Sequence, residues 1–271
     1  MTLTYPQKGN RILGMETIAI GGQKGGGGKT PYAANLAFTL ARRPNTKILL
    51  IDLDSQASLS EYLLGDGTYD KEVTIYNAIM ELRHIPPIEL KENLHFLNAH
   101  DELFEADFRL FSLSNPDGRL KTVLKRYEQD YDFCVIDCPP NLGLLARNAL
   151  GAAQQVLIPS KPEISHFRTL KRLHSTLDDI RESGLNPDLA VWWIVVTQYE
   201  PTTGHHQDIL EAVKGAYKEK VYPEISHKTT KYSDANLMKT DVSTLDKSLG
   251  YFWDRLAATH PALRQEVPTN G

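Results

Sequence analysis

The 271-residue chain has only two cysteines, Cys134 and Cys138, and no long apolar run. Two cysteines give no disulfide framework, and a membrane-spanning helix needs about 20 consecutive apolar residues. The N-terminal residues lack the apolar stretch and the small-residue cleavage site of a secretory signal. The formal net charge of −4 excludes a uniformly basic nucleic-acid-binding chain, although it leaves room for a local basic face. These absences favour a cytoplasmic protein.

Short apolar segments alternate with helical patterns from residue 15 onward. Strands are predicted over residues 17–21, 47–52, 94–98, 133–137, 156–159 and 192–197. Helices are predicted over residues 30–42, 75–81, 118–129, 142–149, 167–182, 206–217 and 243–259. Strands that are apolar throughout are typical of a sheet buried on both faces. We therefore expect one α/β domain over residues 15–271, with a doubly wound, mostly parallel sheet and helices on both faces, preceded by a polar leader over residues 1–14.

A glycine-rich loop, G-G-Q-K-G-G-G-G-K-T over residues 21–30, separates the first predicted strand from the first predicted helix. Glycines let a backbone wrap closely round an anion, so that its N–H groups and the helix N-terminus point at a phosphate. In such a loop Lys29 neutralises phosphate charge and the Thr30 hydroxyl coordinates Mg²⁺. The general spacing G-x-x-x-x-G-K-[ST] is not strictly met, because Gln23 stands where its first glycine belongs.

Two later strands end in carboxylates. Asp52 and Asp54 follow an apolar strand, and alternation along the chain predicts that both approach the glycine loop. Asp137 ends another apolar strand in the manner of a Walker B aspartate, which holds Mg²⁺ directly or through water. Because the carboxyl ends of parallel strands meet at one edge of a sheet, the sequence predicts a nucleotide and metal site at that edge.

The extra lysine in the loop restricts the motif to a smaller group of nucleotide-binding proteins. The form K-G-G-x-G-K-[ST], with Lys24 five residues before Lys29, resembles the deviant Walker A loop of the ParA/MinD family of ATPases. The D-x-D stretch at residues 52–54 and the I-D-x-P-P stretch at residues 136–140 resemble two further motifs of that family. The resemblance covers nearly all of residues 15–260. The chain departs from the pattern at Gly27, where the family has Val or Ile, and at Pro31, where it has a second Thr.

The resemblance implies a P-loop NTPase fold and a slow, Mg²⁺-dependent ATPase that forms a nucleotide-sandwich homodimer. It implies catalytic roles for Lys24, which reaches the partner's phosphates, for Lys29, and for Asp54, which orients the attacking water. The metal ligands would be Thr30, Asp54 and Asp137. The nucleotide would be bound by the loop and by two residues that flank the adenine: Lys24, Gly25, Gly26, Gly27, Gly28, Lys29, Thr30, Pro31, Gln198 and His227.

Two basic sets predict a DNA-binding face. Lys228 and Lys231 fall on a stretch that resembles the family's R-x-x-[RK]-L-S-E-A segment, where basic residues contact DNA, and Arg168, Lys171 and Arg172 open a helix. The resemblance is greatest to ParA-type partition and cargo-positioning ATPases, including the McdA-like branch that positions carboxysomes. It implies non-specific DNA binding in the ATP state, a ParB-like or other adaptor that stimulates hydrolysis, and a cytoplasmic protein that associates with the nucleoid when ATP-bound.

Two other functions are open at this point. A MinD-like switch on a membrane surface requires a basic amphipathic helix at the C-terminus, whereas this chain ends in the polar segment at residues 265–271. A relative of the nitrogenase reductase requires a cysteine pair that ligates a cluster at the dimer axis, and Cys138 beside Asp137 is poorly placed for that. We therefore expect no membrane partner and treat both cysteines as packing residues.

Overall fold

The computed structural model of the chain describes residues 14–65 and 70–264. Seven strands lie within these ranges: β1 (Glu16–Ile20), β2 (Ile48–Asp52), β3 (Ile88–Lys91), β4 (Leu94–Leu97), β5 (Phe133–Asp137), β6 (Gln155–Ser160) and β7 (Ala190–Val196). The α-helices there are α1 (Lys29–Ala41), α2 (Ser58–Leu64), α3 (Ile75–Glu81), α4 (Ala106–Leu110), α5 (Arg119–Leu124), α6 (Leu144–Ala152), α7 (Ile164–Glu182), α8 (Gly204–Tyr217), α9 (Lys231–Leu237), α10 (Lys247–Ala258) and α11 (Pro261–Arg264). The predicted leader lies outside the described residues except for Gly14.

All seven strands form one sheet in the order β3-β4-β2-β5-β1-β6-β7. Every neighbouring pair is parallel except β3 and β4, which are antiparallel. The central strands β2 and β5 are buried along their whole length, because helices cover both faces of the sheet. The predicted doubly wound, mostly parallel α/β fold is therefore confirmed.

The sheet separates two hydrophobic cores. One face packs against α3 to α8 through such side chains as Leu120, Leu145 and Leu173. The other face packs against α1, α2, α9 and α10 through such side chains as Leu36 and Trp253. Among the described helices, none combines the length and apolar character that crossing a membrane requires.

Several predicted boundaries are wrong in detail. The helix predicted over residues 118–129 ends at Leu124, because the following bonds run three residues back, from the N–H of Arg126 to the carbonyl of Val123. The helix predicted from residue 243 begins at Lys247, since the Asp246 carboxylate accepts the N–H of Ser248 and caps it. The short elements, in which apolar residues show no clear helical or strand periodicity, were not predicted: α2, β3, α4, α9 and α11.

Candidate functional site

The glycine loop joins β1 to α1 at the carboxyl edge of the sheet. Gly26 and Gly28 have φ values of 76° and 97°, in the left-handed region that side chains disfavour. Gly28 is the N-cap of α1 and offers no side-chain oxygen to the first N–H groups of this 13-residue helix. Those N–H groups are free to meet an anion, and the helix dipole favours negative charge there.

The outer side of the loop is fixed by the end of β7. The Thr197 hydroxyl donates to the carbonyl of Gly27 at 3.0 Å, and the Gln198 amide donates to the carbonyl of Gly26 at 3.0 Å. His227 lies against Tyr199, with which it forms a parallel backbone bridge and a ring contact at 5.7 Å. The structure thus brings Gln198 to the side of the loop and His227 against Tyr199, the residue after Gln198, while their predicted contact with an adenine stays a prediction.

A buried histidine packs beside the loop and was missed by sequence reasoning. A Cβ atom added to Gly27 would lie 3.2 Å from Cε1 of His166 and 3.4 Å from the carbonyl oxygen of Pro159. His166 is 4 % exposed, and burial lowers its pKa to about 4, so that the ring is neutral. The imidazole of His166 therefore occupies the space that a larger residue at Gly27 would need.

The buried carboxylate of Asp137 stands at the base of the loop. It is 1 % exposed, and neither of its oxygens has a well-formed hydrogen bond within the described part of the chain, although the Thr30 hydroxyl is close enough to affect its pKa. Burial and then the charge of Asp52 raise its pKa well above the usual range, while Thr30 and Lys29 act in the opposite direction. Lys29 is itself buried and donates weakly to the carbonyl of Lys24 at 3.4 Å.

This donor set suits a hard divalent cation. A carboxylate without partners beside a hydroxyl offers oxygen ligands of the kind that Mg²⁺ takes in phosphate sites. No cluster of three or more His, Cys, Asp or Glu side chains that could hold a metal occurs in residues 14–65 or 70–264. An ion beside Asp137 and Thr30 would therefore draw its remaining ligands from phosphate oxygens and water.

Asp52 and Asp54 have different roles in the structure. Asp52 is fully buried, and its carboxylate accepts the N–H of Ser60 at 2.9 Å, the hydroxyl of Ser60 at 2.8 Å and the N–H of Asp54 at 3.1 Å. Burial raises the pKa of Asp52 to about 6. Asp52 thus fixes the turn that presents Asp54. Asp54 is half-buried, and its charge contributes to the raised pKa of Asp137, which places the two predicted carboxylates in one cluster.

Lys24 turns away from its own loop toward the start of α7. Its ammonium donates to the Ser165 hydroxyl at 2.6 Å and approaches a carboxylate oxygen of Glu163 at 3.4 Å. The side chains of Lys24 and Glu163 are each about 40 % exposed. A pair with this exposure contributes about 0–1 kcal/mol, so the lysine can leave it at little cost.

The two predicted DNA-binding sets lie on different elements: one on α7, and the other on the loop that precedes α9 and on the first residue of α9. Arg168, Lys171 and Arg172 are exposed on α7, and no ion pair is found for any of them within the described ranges. Lys228 pairs with Glu200 at 3.2 Å, and Lys231 lies 3.9 Å from Asp234 at the start of α9. The α7 set is therefore the less neutralised of the two.

Comparison with known proteins agrees with this geometry. A family model described as "AAA domain" matches residues 15–191. The chromosome partitioning protein ParA of Myxococcus xanthus is 35 % identical over 222 residues, which are 80 % of this chain and 77 % of that protein. The sporulation initiation inhibitor protein Soj of Bacillus subtilis is 32 % identical over 257 residues, which are 94 % of this chain and 98 % of Soj.

Solved structures show the same fold. Apo McdA of Cyanothece superposes with a TM-score of 0.82 at 23 % identity, over 92 % of this chain and 99 % of that one. A plasmid partition protein of Borrelia burgdorferi bound to AMPPNP has a TM-score of 0.73 at 25 % identity, over 89 % and 99 %. Cobyrinic acid a,c-diamide synthase of Mycobacterium smegmatis, with an ATP analogue and magnesium, has a TM-score of 0.72 at 28 % identity, over 88 % and 96 %. On its motifs, its fold and its relatives, the chain belongs to the ParA-type family of partition ATPases.

Proposed function

We propose that this chain is a Mg²⁺-dependent ATPase whose ATP-bound form is a homodimer that binds DNA without sequence preference. The observation that carries the proposal is the Asp137 carboxyl group, which is buried without a well-formed hydrogen bond and has Thr30 and Lys29 close by. Burial raises the pKa of this carboxyl group, and ionising it is costly unless a cation compensates the charge. Of the structural relatives, one has AMPPNP bound and another has an ATP analogue and magnesium bound.

The side chains of the site have distinct roles in this proposal. Lys29 and the N–H groups of Gly25 to Thr30 bind the β- and γ-phosphates, and Asp54 orients the attacking water. Thr30 and Asp137, with Asp54 nearby, hold Mg²⁺, which neutralises phosphate charge when bound. Lys24 leaves Ser165 and Glu163 to reach the phosphates of the second copy, so that dimerisation depends on ATP. Gln198 and His227 flank the adenine.

DNA binding in this proposal is a contact with phosphates alone. The exposed cations of α7 are three and four residues apart and so share one side of the helix. Lys228 and Lys231 form the second contact once DNA phosphates displace Glu200 and Asp234. A ParB-like or other adaptor stimulates hydrolysis, and the switch segregates or positions a plasmid, a chromosome region or a large cargo in the cytoplasm, over the nucleoid. Phosphate contacts of this kind predict an affinity that falls steeply with salt.

The nucleotide switch is tested by sedimentation with AMPPNP, with ADP and without nucleotide. Lys24→Ala is expected to bind AMPPNP as a monomer, whereas Lys29→Ala is expected to lose nucleotide binding. Lys125→Ala, at an exposed lysine that follows the last residue of α5, serves as the matched control and should dimerise normally. A Lys24→Ala protein that dimerises with AMPPNP as the wild type does would refute the role of Lys24.

The DNA interface is tested by co-sedimentation with DNA and, in parallel, with anionic liposomes. Reversing the charges of Arg168, Lys171 and Arg172, or of Lys228 and Lys231, is expected to weaken ATP-dependent DNA binding at least tenfold while hydrolysis persists. Reversal of Lys121 and Lys125 is the control for net charge. Pelleting with liposomes but not with DNA would replace this proposal by the MinD-like alternative.

A further inference from the structure

Three phenylalanines stand almost fully in solvent on one short segment. Phe104, Phe108 and Phe111 are 79 %, 86 % and 82 % exposed. They lie on a 3-10 turn at Asp101–Glu105, on α4 and at the C-cap of α4. Large apolar side chains that are exposed singly are normal, but three in one short segment indicate a surface that binds a partner.

The three phenylalanines are four and three residues apart, which is the spacing of neighbours along one helix face. The opposite side is buried in the core through Leu103, Ala106 and Leu110. We call the exposed side, formed by Phe104, Phe108 and Phe111, the phenylalanine face. The segment is therefore amphipathic, with its inner half packed and its outer half uncovered.

The phenylalanine face lies at the same edge of the sheet as the nucleotide site. The segment follows β4, whose carboxyl end points to that edge because β4 is parallel to β2. Asp107, on the same helix, accepts the N–H of Leu145 at 2.8 Å and so caps α6, which begins after the loop that follows Asp137. A Cβ atom on Gly143 in that loop would overlap the Asp107 carboxylate. The face is thus braced against the loop next to the metal ligand.

We propose that the phenylalanine face is part of the surface that binds a second copy of this chain in the ATP-bound dimer. The inference rests on the proposed function, in which Lys24 meets the partner's phosphates across this edge. An aromatic side chain buries about 150–250 Å². Three rings of this exposure offer on the order of 400 Å² per copy, about half of the roughly 800 Å² that each partner contributes to a standard interface. The remaining half would come from the loop that carries Lys24 and its surroundings.

Nucleotide binding would then control the phenylalanine face through the site itself. The loop between Asp137 and α6 connects the nucleotide site to the segment of the phenylalanine face. It begins at Asp137, and at its other end the Asp107 carboxylate packs against Gly143 and accepts the N–H of Leu145. Burying the rings against a second copy contributes apolar affinity only when the phosphates also draw Lys24 across. The face therefore adds strength to the dimer without making it independent of ATP.

The test compares the wild type with a triple variant, Phe104→Ser with Phe108→Ser and Phe111→Ser, by sedimentation velocity with AMPPNP and Mg²⁺. We expect the dimer dissociation constant to rise at least tenfold, while affinity for the nucleotide changes less than twofold and the unfolding midpoint is kept. Tyr251→Ser is the matched control, because Tyr251 is 55 % exposed on α10, in the opposite layer. Equal dimerisation of the triple variant and the wild type would overturn the inference. It would do so even if the triple variant, unlike the wild type, no longer bound an added adaptor, because the face would then bind the adaptor and not a second copy.

A second measurement reports on the face directly. Phe108→Cys can be labelled with a polarity-sensitive dye, because Cys134 and Cys138 are both buried. AMPPNP should shift its emission to the blue in the wild-type background but not with Lys24→Ala, and Tyr251→Cys should show no shift. A wild type that binds AMPPNP yet stays monomeric overturns both the dimer and the face. If the wild type binds no nucleotide, the proposed function fails, and the phenylalanine face is then tested by self-association at high protein concentration. Loss of self-association in the triple variant supports the role of the face in binding a second copy, and equal self-association of the triple variant and the wild type overturns it.

Discussion

Replacing Gly27 with valine should destabilise the protein unless His166 is made small at the same time. The added Cβ would lie 3.2 Å from the His166 ring and 3.4 Å from the Pro159 carbonyl, and the two methyl groups of valine need more room still. Gly27 does not have a left-handed φ, so the cost is one of packing rather than backbone strain. Overpacking of this kind costs about 1–3 kcal/mol.

The His166→Ala change has the opposite packing defect. It removes a ring that is 4 % exposed and opens a cavity beside the loop, at a cost on the order of 2 kcal/mol. In the double variant the valine methyl groups enter the space that the ring has left. We therefore expect the double variant to lose less unfolding free energy than the two single variants lose in sum, by about 1 kcal/mol or more.

The assay is equilibrium urea unfolding of the wild type, the two single variants and the double variant, without nucleotide. Gly25→Val is the matched control, because a Cβ atom on Gly25, in the same loop, meets no atom within 4 Å. That control should unfold at nearly the wild-type urea concentration. If the losses of unfolding free energy in the two single variants add up to the loss in the double variant within about 0.3–0.5 kcal/mol, the steric pairing of Gly27 with His166 is refuted.

Three further predictions concern the site and its surroundings. Asp137→Asn should raise the free energy of unfolding without nucleotide at pH 8 by about 1 kcal/mol or more while abolishing hydrolysis, because the raised pKa of Asp137 makes its ionisation in the folded state costly at that pH and asparagine has no such cost; a less stable variant would contradict this. Burial lowers the pKa of His260 to about 4, so the unfolded state binds its proton more tightly between pH 4 and about 6.5. The free energy of unfolding should therefore rise with pH over that window, and His260→Leu should flatten the rise; an unchanged slope would count against it. Pro31→Thr should tighten ATP binding or speed turnover, since it restores a hydroxyl and an N–H at the loop, and equal values for both would disprove the idea.

The parts of the site that local sequence determines were predictable. The loop glycines, Lys29 and Thr30 follow one strand, and Asp137 ends another, so parallel topology alone brings them to one edge. Asp52 shows the limit of that reasoning. Alternation predicts that it faces the site with Asp54, but the position of Ser60, which uses the Asp52 carboxylate, depends on the helix that follows.

Features that depend on packing between distant segments were not predictable. His166 is 139 positions from Gly27 in the chain, and only the folded structure places its ring against the loop. β3 is a four-residue edge strand of alternating burial, too short to separate from a turn by pattern. Phe104, Phe108 and Phe111 have the same residue type as core phenylalanines, and only the packing of Leu103, Ala106 and Leu110 decides which side of the segment is buried.

The charges of the site explain why a second copy would be needed. Asp54 and Asp137 already place negative charge where a triphosphate would bring more, and Lys29 is the one buried lysine in the described part of the chain. Mg²⁺ would offset part of the repulsion, yet the ammonium of Lys24 is held by Ser165 and points away from its own loop. A lysine supplied by a partner adds positive charge at the phosphates only when two copies meet. In the proposed dimer, the dependence on ATP would then follow from electrostatics, and the phenylalanine face would supply the apolar contact that charge alone does not give.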